Sequence, residues 1–172
     1  LAIVAGALSR GMWSKPATMA KATRTTIGAP AGTRLQITGD DAGPPALSPD
    51  GTMLVFSAVG GGGGKRLWIR RLDDLTAKPI PGTDGAAYPF WSPDGASVAF
   101  FATNQLKRLD LEQGSVITVA GGLDSPRGGA WGRDGVMIFP TGYGTGLFKV
   151  SESGGGTPTP VTVLDSTMES TH

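Results

Sequence analysis

The sequence has no cysteine, which excludes disulfides, thiolate metal sites and cysteine nucleophiles together. It has a single histidine, His172, so neither a Ser-His-Asp triad nor a histidine metal cluster can be assembled from these residues. No Gly-x-Ser-x-Gly elbow occurs. Charge of one sign is also lacking. Fifteen basic residues stand against 14 acidic ones, a net of +1, so no polyanion-binding surface and no nucleic-acid partner is expected. Glutamate, the helix former, is scarce: three of the acidic residues are Glu and eleven are Asp, which favours turns. What is abundant is glycine (28) and proline (13), about a quarter of the 172 residues. That composition belongs to an all-β protein, and the length admits one domain with a sizeable core.

A period runs through the chain. Three tetrapeptides correspond, Ser48-Pro-Asp-Gly51, Ser92-Pro-Asp-Gly95 and Gly132-Arg-Asp-Gly135, spaced by 44 and 40 residues. Spacings of this size mark the blades of a β-propeller. In each tetrapeptide the first turn position suits Pro, Asp bonds back to the local backbone, and Gly accepts the positive φ that closes a hairpin. Asp50, Gly51, Asp94, Gly95, Asp134 and Gly135 are therefore read as structural turn residues.

The flanks repeat as well. A short strand precedes each turn (45–47, 88–91, 129–131), and an apolar strand follows it (53–57, 98–102, 136–139). The second set is nearly continuous in apolar residues, as strands buried on both faces should be. A third strand alternates apolar and basic residues (66–72, 105–109, 146–150), and a fourth closes each unit (78–80, 116–119, 161–164). Pro79 and Pro160 suit an outer edge strand, where a missing donor is tolerated. The expected fold is thus a β-propeller fragment of about three four-stranded antiparallel blades, near 40–82, 84–121 and 124–165 within a propeller region 39–172. A closed ring needs at least four blades, so the expectation is a piece of a larger ring.

The amino end differs. Residues 1–8 are apolar, and a polar flank with Trp13 follows through Pro16. Eight residues cannot cross a bilayer, which takes ~20. The sequence also starts with Leu rather than Met, so the run reads as the tail of something longer. Residues 1–15 are read as the end of a transmembrane helix with Trp13 in the interfacial belt, or as a signal segment with Ala20-Lys-Ala22 as a small-x-small cleavage site. A buried apolar strand or an unstructured stub is the plainer alternative. Arg10, Lys15, Lys21 and Arg24 follow the run, and the positive-inside rule would put that flank in the cytoplasm. Residues 16–38 read as a linker with a strand at 24–27 and a ring-closing role for 24–38.

An apolar or aromatic strand, then Ser-Pro-Asp-Gly, then a second apolar strand resembles the TolB-like family of WD-type propeller repeats. Trp91-Ser-Pro-Asp-Gly95 matches best; blade one has Leu47 where the aromatic stands, and blade three has Gly132-Arg for Ser-Pro. The order of apolar segment, basic flank, linker and repeats further resembles bacterial membrane-anchored serine/threonine kinases with an extracytoplasmic propeller. Residues 164–172 resemble the connection in that group that leads into a next blade. The resemblance implies a periplasmic or cell-surface location, membrane anchoring in the parent and a sensor role. It also leaves open a TolB-type envelope scaffold for protein–protein contacts, or the accessory propeller of a prolyl-oligopeptidase-like enzyme. No kinase motif is present, and no catalytic residue carries over.

The remaining candidates are few. Gly60 to Gly64 before Lys65-Arg66 departs from a P-loop, with Val59 for the first Gly and Arg66 for Ser or Thr. It reads as a surface hairpin, as does 142–146. Asp40, Asp84 and Asp124 each lie eight residues before a turn tetrapeptide, on the loops leading to the innermost strands at one mouth of the channel. They read either as a carboxylate ring for a cation or a basic partner segment, or as turn caps bonding their own backbone. Tyr88 and Arg127 lie near the same rim and complete the ligand-binding candidates. Trp68, Trp91 and Trp131 are expected to pack blades. The sequence therefore reads as a non-catalytic binding or sensor module, with no cofactor and no metal, for a protein, peptide or small-ligand partner.

Overall fold

The structure is a computed structural model, which describes residues 26–37 and 43–164. Among these residues there is no helix. Thirteen strands form three antiparallel sheets. The first holds β1 (Thr33–Leu35), β2 (Ala46–Leu47), β3 (Met53–Gly60), β4 (Lys65–Arg71) and β5 (Lys78–Pro79). The second holds β6 (Ala87–Trp91), β7 (Ser97–Ala102), β8 (Gln105–Asp110) and β9 (Val116–Ala120). The third holds β10 (Ala130–Trp131), β11 (Val136–Pro140), β12 (Leu147–Ser151) and β13 (Thr159–Pro160). Sheets two and three are simple meanders, and sheet one adds β1 beside β2 on the same edge of β3. This is a partial β-propeller of three blades.

The Asp-Gly turns join the first two strands of each blade through side-chain bonds. The Ser48 hydroxyl donates to Asp50 Oδ1 (2.5 Å) and accepts the Met53 N–H (2.9 Å). Ser92 repeats this, donating to Asp94 Oδ1 (2.5 Å) and accepting the Ser97 N–H (2.9 Å). The hydrogen bond from Ser48, with those from Thr52, holds the Asp50 carboxyl below its ordinary value; Ser92 and the Ala96 N–H do the same for Asp94. Gly51, Gly95 and Gly135 take φ values of 72°, 73° and 75°. Blade three has no hydroxyl at the first position. There the Asp134 carboxylate fills the space that a Cβ on Gly132 would need, and it accepts the Val136 N–H at 3.3 Å.

Alternation along the strands sorts side chains between blades. Val55 and Leu67 of blade one meet Trp91, Val98, Phe100 and Leu109 of blade two. Ala99, Phe101, Leu106 and Val119, on the other face of blade two, meet Met137, Phe139 and Val150 of blade three. Every residue of β7 is buried, since it has a blade on each side. Burial of one Phe there stabilises by about 1.5–3 kcal/mol. The Trp91 indole N–H donates to the Ala46 carbonyl (2.9 Å) and so ties the innermost strands of blades one and two. On the far face of blade one, Leu54, Phe56 and Ala58 pack with Ile27 and Leu35 from the segment before β2, and with Trp68.

Two expectations change. No strand occupies 26–27, and residues 24 and 25 lie outside the described residues; a strand forms at β1 instead, hydrogen-bonded to β3 of blade one. The fourth strand of blade three is β13, not 161–164. The Thr162 hydroxyl takes the Leu147 N–H (2.8 Å), where a ladder would need a backbone carbonyl, and Val163 is left 92% exposed. The apolar run 1–8 and Asp40 lie outside the described residues. Among the described ones, no helix is long and apolar enough to cross a membrane.

Candidate functional site

Each blade has two ends. The Asp-Gly turns occupy one, and the hairpins β3–β4, β7–β8 and β11–β12 occupy the other. The links from one blade to the next also cross the hairpin end, which brings Asp84, Asp124, Tyr88 and Arg127 to that end.

The links are fixed from below. Buried Thr83 donates to the Ile80 carbonyl (2.6 Å) and accepts the Leu67 N–H (3.1 Å). The Ser57 hydroxyl donates to the Ala86 carbonyl (3.1 Å), and the Gly85 N–H to the Lys65 carbonyl (2.7 Å). Loops held this firmly present their outward side chains in set positions. Asp84 is exposed, and its Oδ1 pairs with the Arg66 guanidinium at 3.0 Å. Asp124 is also exposed, and its backbone N–H donates to the Thr141 carbonyl (2.7 Å). A Cβ on Gly142 would stand 2.5 Å from the Asp124 carbonyl oxygen, so only glycine lets the β11–β12 hairpin lie against this link. Arg127 places its guanidinium 4.3 Å from the centre of the Tyr143 ring, a cation–π contact.

Tyr88 is half-buried and sits at the bulge of β6 with φ 51°. It lines a cavity of about 170 Å³, together with Lys65, Gly85, Thr103, Asn104, Ser125 and Pro126 among others. Among the described residues no three His, Asp or Glu side chains gather as a metal site would require. The sequence marks Arg66 and Tyr143 only as parts of surface hairpins, not as ligand contacts. Both belong to glycine-bracketed hairpins, and an aromatic or a cation there is the signal that could have found them.

A second concavity, of about 470 Å³, opens at the turn end between blades two and three. Arg108, Asp94, Asp110, Arg133 and Glu152 line it. Glu152 Oε2 there accepts the Trp131 indole N–H at 2.7 Å, so this carboxylate is committed to the blade itself. Trp131 and Trp91 thus serve packing, as expected of them.

No protein-family model and no curated protein matches the sequence. Solved structures do match. TolB from Acinetobacter baumannii superposes with a TM-score of 0.55 at 21% identity, over 70% of this chain and 33% of that one. A protein described as TolB from Agrobacterium tumefaciens gives 0.60 at 18% identity, over 69% and 45%. The β-propeller domain of the trilobed protease from Pyrococcus furiosus gives 0.51 at 18% identity, over 72% and 44%. The chain spans less than half the length of each of these proteins. Such likeness concerns the fold, and the fold is that of TolB-type β-propellers.

Proposed function

We propose that this chain is a non-catalytic binding module, part of a larger propeller, whose hairpin end receives a protein or peptide partner. One observation carries the reading. Aromatic and charged side chains gather on the firmly held loops of that end, as Arg66 with Asp84, Arg127 with Tyr143, and Tyr88 at the cavity. Tyrosine and arginine are the residue types that dominate binding energy at interfaces. Asp40, Asp84, Asp124, Tyr88 and Arg127 are the proposed contacts. In the parent protein we place the module outside the cytoplasm, as the sensor of a membrane-anchored serine/threonine kinase. The resemblance in the order of apolar run, linker and blades supports that placement, against the orientation that the basic flank taken alone would give. The match to the trilobed-protease propeller favours a second reading, the accessory propeller of a peptidase.

Two experiments test this. Peptides selected on the immobilised full chain should bind at least tenfold more weakly to the Arg127→Ala/Tyr143→Ala variant. Selected peptides that are indifferent to it but weakened by Arg133→Ala at the turn end would overturn the assignment. Translation of the parent reading frame separates the two settings: kinase motifs before a full apolar span support the sensor, and a hydrolase elbow after further blades supports the peptidase.

A further inference from the structure

The two gaps between successive blades differ at the turn end, although corresponding positions line them. Met53 and Ser97 each stand two residues after their turn glycine, and Ile69 and Arg108 lie opposite Val55 and Ala99 in the ladders. The Leu111 N–H donates to the Ala96 carbonyl (3.1 Å), as the Glu152 N–H does to the Gly135 carbonyl (2.9 Å). Ser97, Arg108 and Glu152 make the gap between blades two and three polar, and Arg108 crosses it to the Glu152 carbonyl at 3.4 Å. Between blades one and two, Met53, Ile69 and Leu111 stand at those same three positions. An apolar hollow of about 560 Å³ remains there, with Ile80 and Leu109 adding to its wall. Its size lies within the ~300–1,000 Å³ of small-molecule pockets, which are also largely apolar and pre-formed. Pre-formed it is, because Met53, Ile69 and Leu111 pack on the core shared by blades one and two.

The charged groups at the hollow decide what kind of ligand suits it. Blade one contributes Lys78, and blade two contributes Asp110 and Glu112. Asp74, whose carboxyl is held below its ordinary value first by the Thr76 N–H and also by Lys78, offsets that ammonium. Asp110 Oδ1 accepts the Glu112 and Gln113 N–H groups (3.0 and 2.8 Å) and keeps its charge. The exposed Glu112 carboxylate has no partner among the described residues. Nearby Arg71 is paired with Asp73 at 3.0 Å. Lys107 lies on the same face of β8 but outside the lining, and with it counted the local sign stays negative. A cleft of one sign with apolar walls concentrates ligands of the other sign.

We propose that this hollow between blades one and two is a site for a small ligand with an apolar body and one cationic group. The body lies against Met53, Ile69 and Leu111, and the cation meets Glu112. The site is apart from the hairpin end and does not depend on the reading given to that end.

The full chain, labelled with ¹⁵N, would be titrated at neutral pH with 4-phenylbutylamine, 4-phenylbutan-1-ol and 4-phenylbutanoate, which share one body and differ in charge. The amine should shift the Ala96, Leu111 and Gly114 amides at concentrations at least threefold below the alcohol, and the carboxylate should bind weakest. Glu112→Gln, at an exposed position, should bring the amine to the affinity of the alcohol and leave the alcohol unchanged. Ala96→Leu, which fills the hollow, should weaken all three at least fivefold. Equal affinities for amine and carboxylate overturn the proposal, as does a Glu112→Gln variant that binds the amine as the parent does. Shifts centred outside the hollow, or none with any ligand at millimolar concentration, overturn it too.

Discussion

At the scale of single residues, the turn tetrapeptides carry a measurable pH response. Asp50 and Asp94 have their carboxyls held below the ordinary value of 3.8 by hydrogen bonds from Ser48 and Ser92 first, then from Thr52 and Ala96. A depressed folded value means stability that is fully present above the unfolded value and lost as pH falls through the folded one. Urea midpoints should hold steady from about pH 7 to 5 and drop below about pH 4. The Asp50→Asn/Asp94→Asn variant should start less stable and lose less across the same window. An unchanged acid slope in that variant would contradict the role given to these carboxylates. Gly129 offers a steric test. A Cβ there would meet Phe90 Cζ at 2.8 Å and the Ile138 carbonyl oxygen at 3.1 Å. Phe90 is buried between blades, so Gly129→Ala should cost about 1–3 kcal/mol of unfolding free energy. The turns were legible in the sequence because Pro, Asp and Gly each name a turn position. The backbone of Tyr88 was not, since a bulky residue gives no local sign of a positive φ.

At the scale of elements, each strand's worth depends on how many blades it touches. β7 is buried throughout, whereas β11 alternates between buried Met137 and Phe139 and half-buried Val136 and Ile138. Phe100→Ala should therefore cost about 3–5 kcal/mol, and Ile138→Ala distinctly less, both read from urea denaturation. Equal costs would mean that blade two is not sandwiched. The second and third strands of all three blades could be read from the sequence, because the second are nearly continuous apolar runs, the third alternate apolar and basic residues, and turns bound both. The outer strands were harder. β5 and β13 are two residues each, and Pro79 and Pro160 can join a ladder only through their carbonyl side. β1 lies inside the 24–38 stretch given a ring-closing role, but its exact place was not legible for a similar reason. Three residues with half-buried Thr33 and Leu35 carry too little alternation to announce a strand, and their partner lies more than twenty residues on. The candidate site was half legible in the same sense. The repeated Asp positions marked the right end of the blades, but Arg66 and Tyr143 come from hairpins whose approach only the fold sets.

At the scale of the whole molecule, the two terminal faces of the stack differ. Blade one's outer face carries Leu54, Phe56 and Trp68, with Ile27 and Leu35 laid against it and the Arg70 guanidinium donating to the Thr26 carbonyl at 3.3 Å. Blade three's outer face presents Val136, Ile138 and Leu147, the last 41% exposed. Three blades do not close a ring, so these faces govern association. Replacing Ile27 and Leu35 by Asp should uncover the first face and raise concentration-dependent self-association, seen by sedimentation velocity. Unaltered sedimentation would mean that the segment before β2 does not shield it.

The central claim is that three blades stand in a row with blade two enclosed by the others, and amide hydrogen exchange on the full chain tests it directly. Amides of β7 and β8 should exchange slowest, those of β3 and β11 faster, and the outer strands β5 and β13 fastest. Exchange in β7 and β8 no slower than in β11 and β12 would contradict the stacked-blade arrangement.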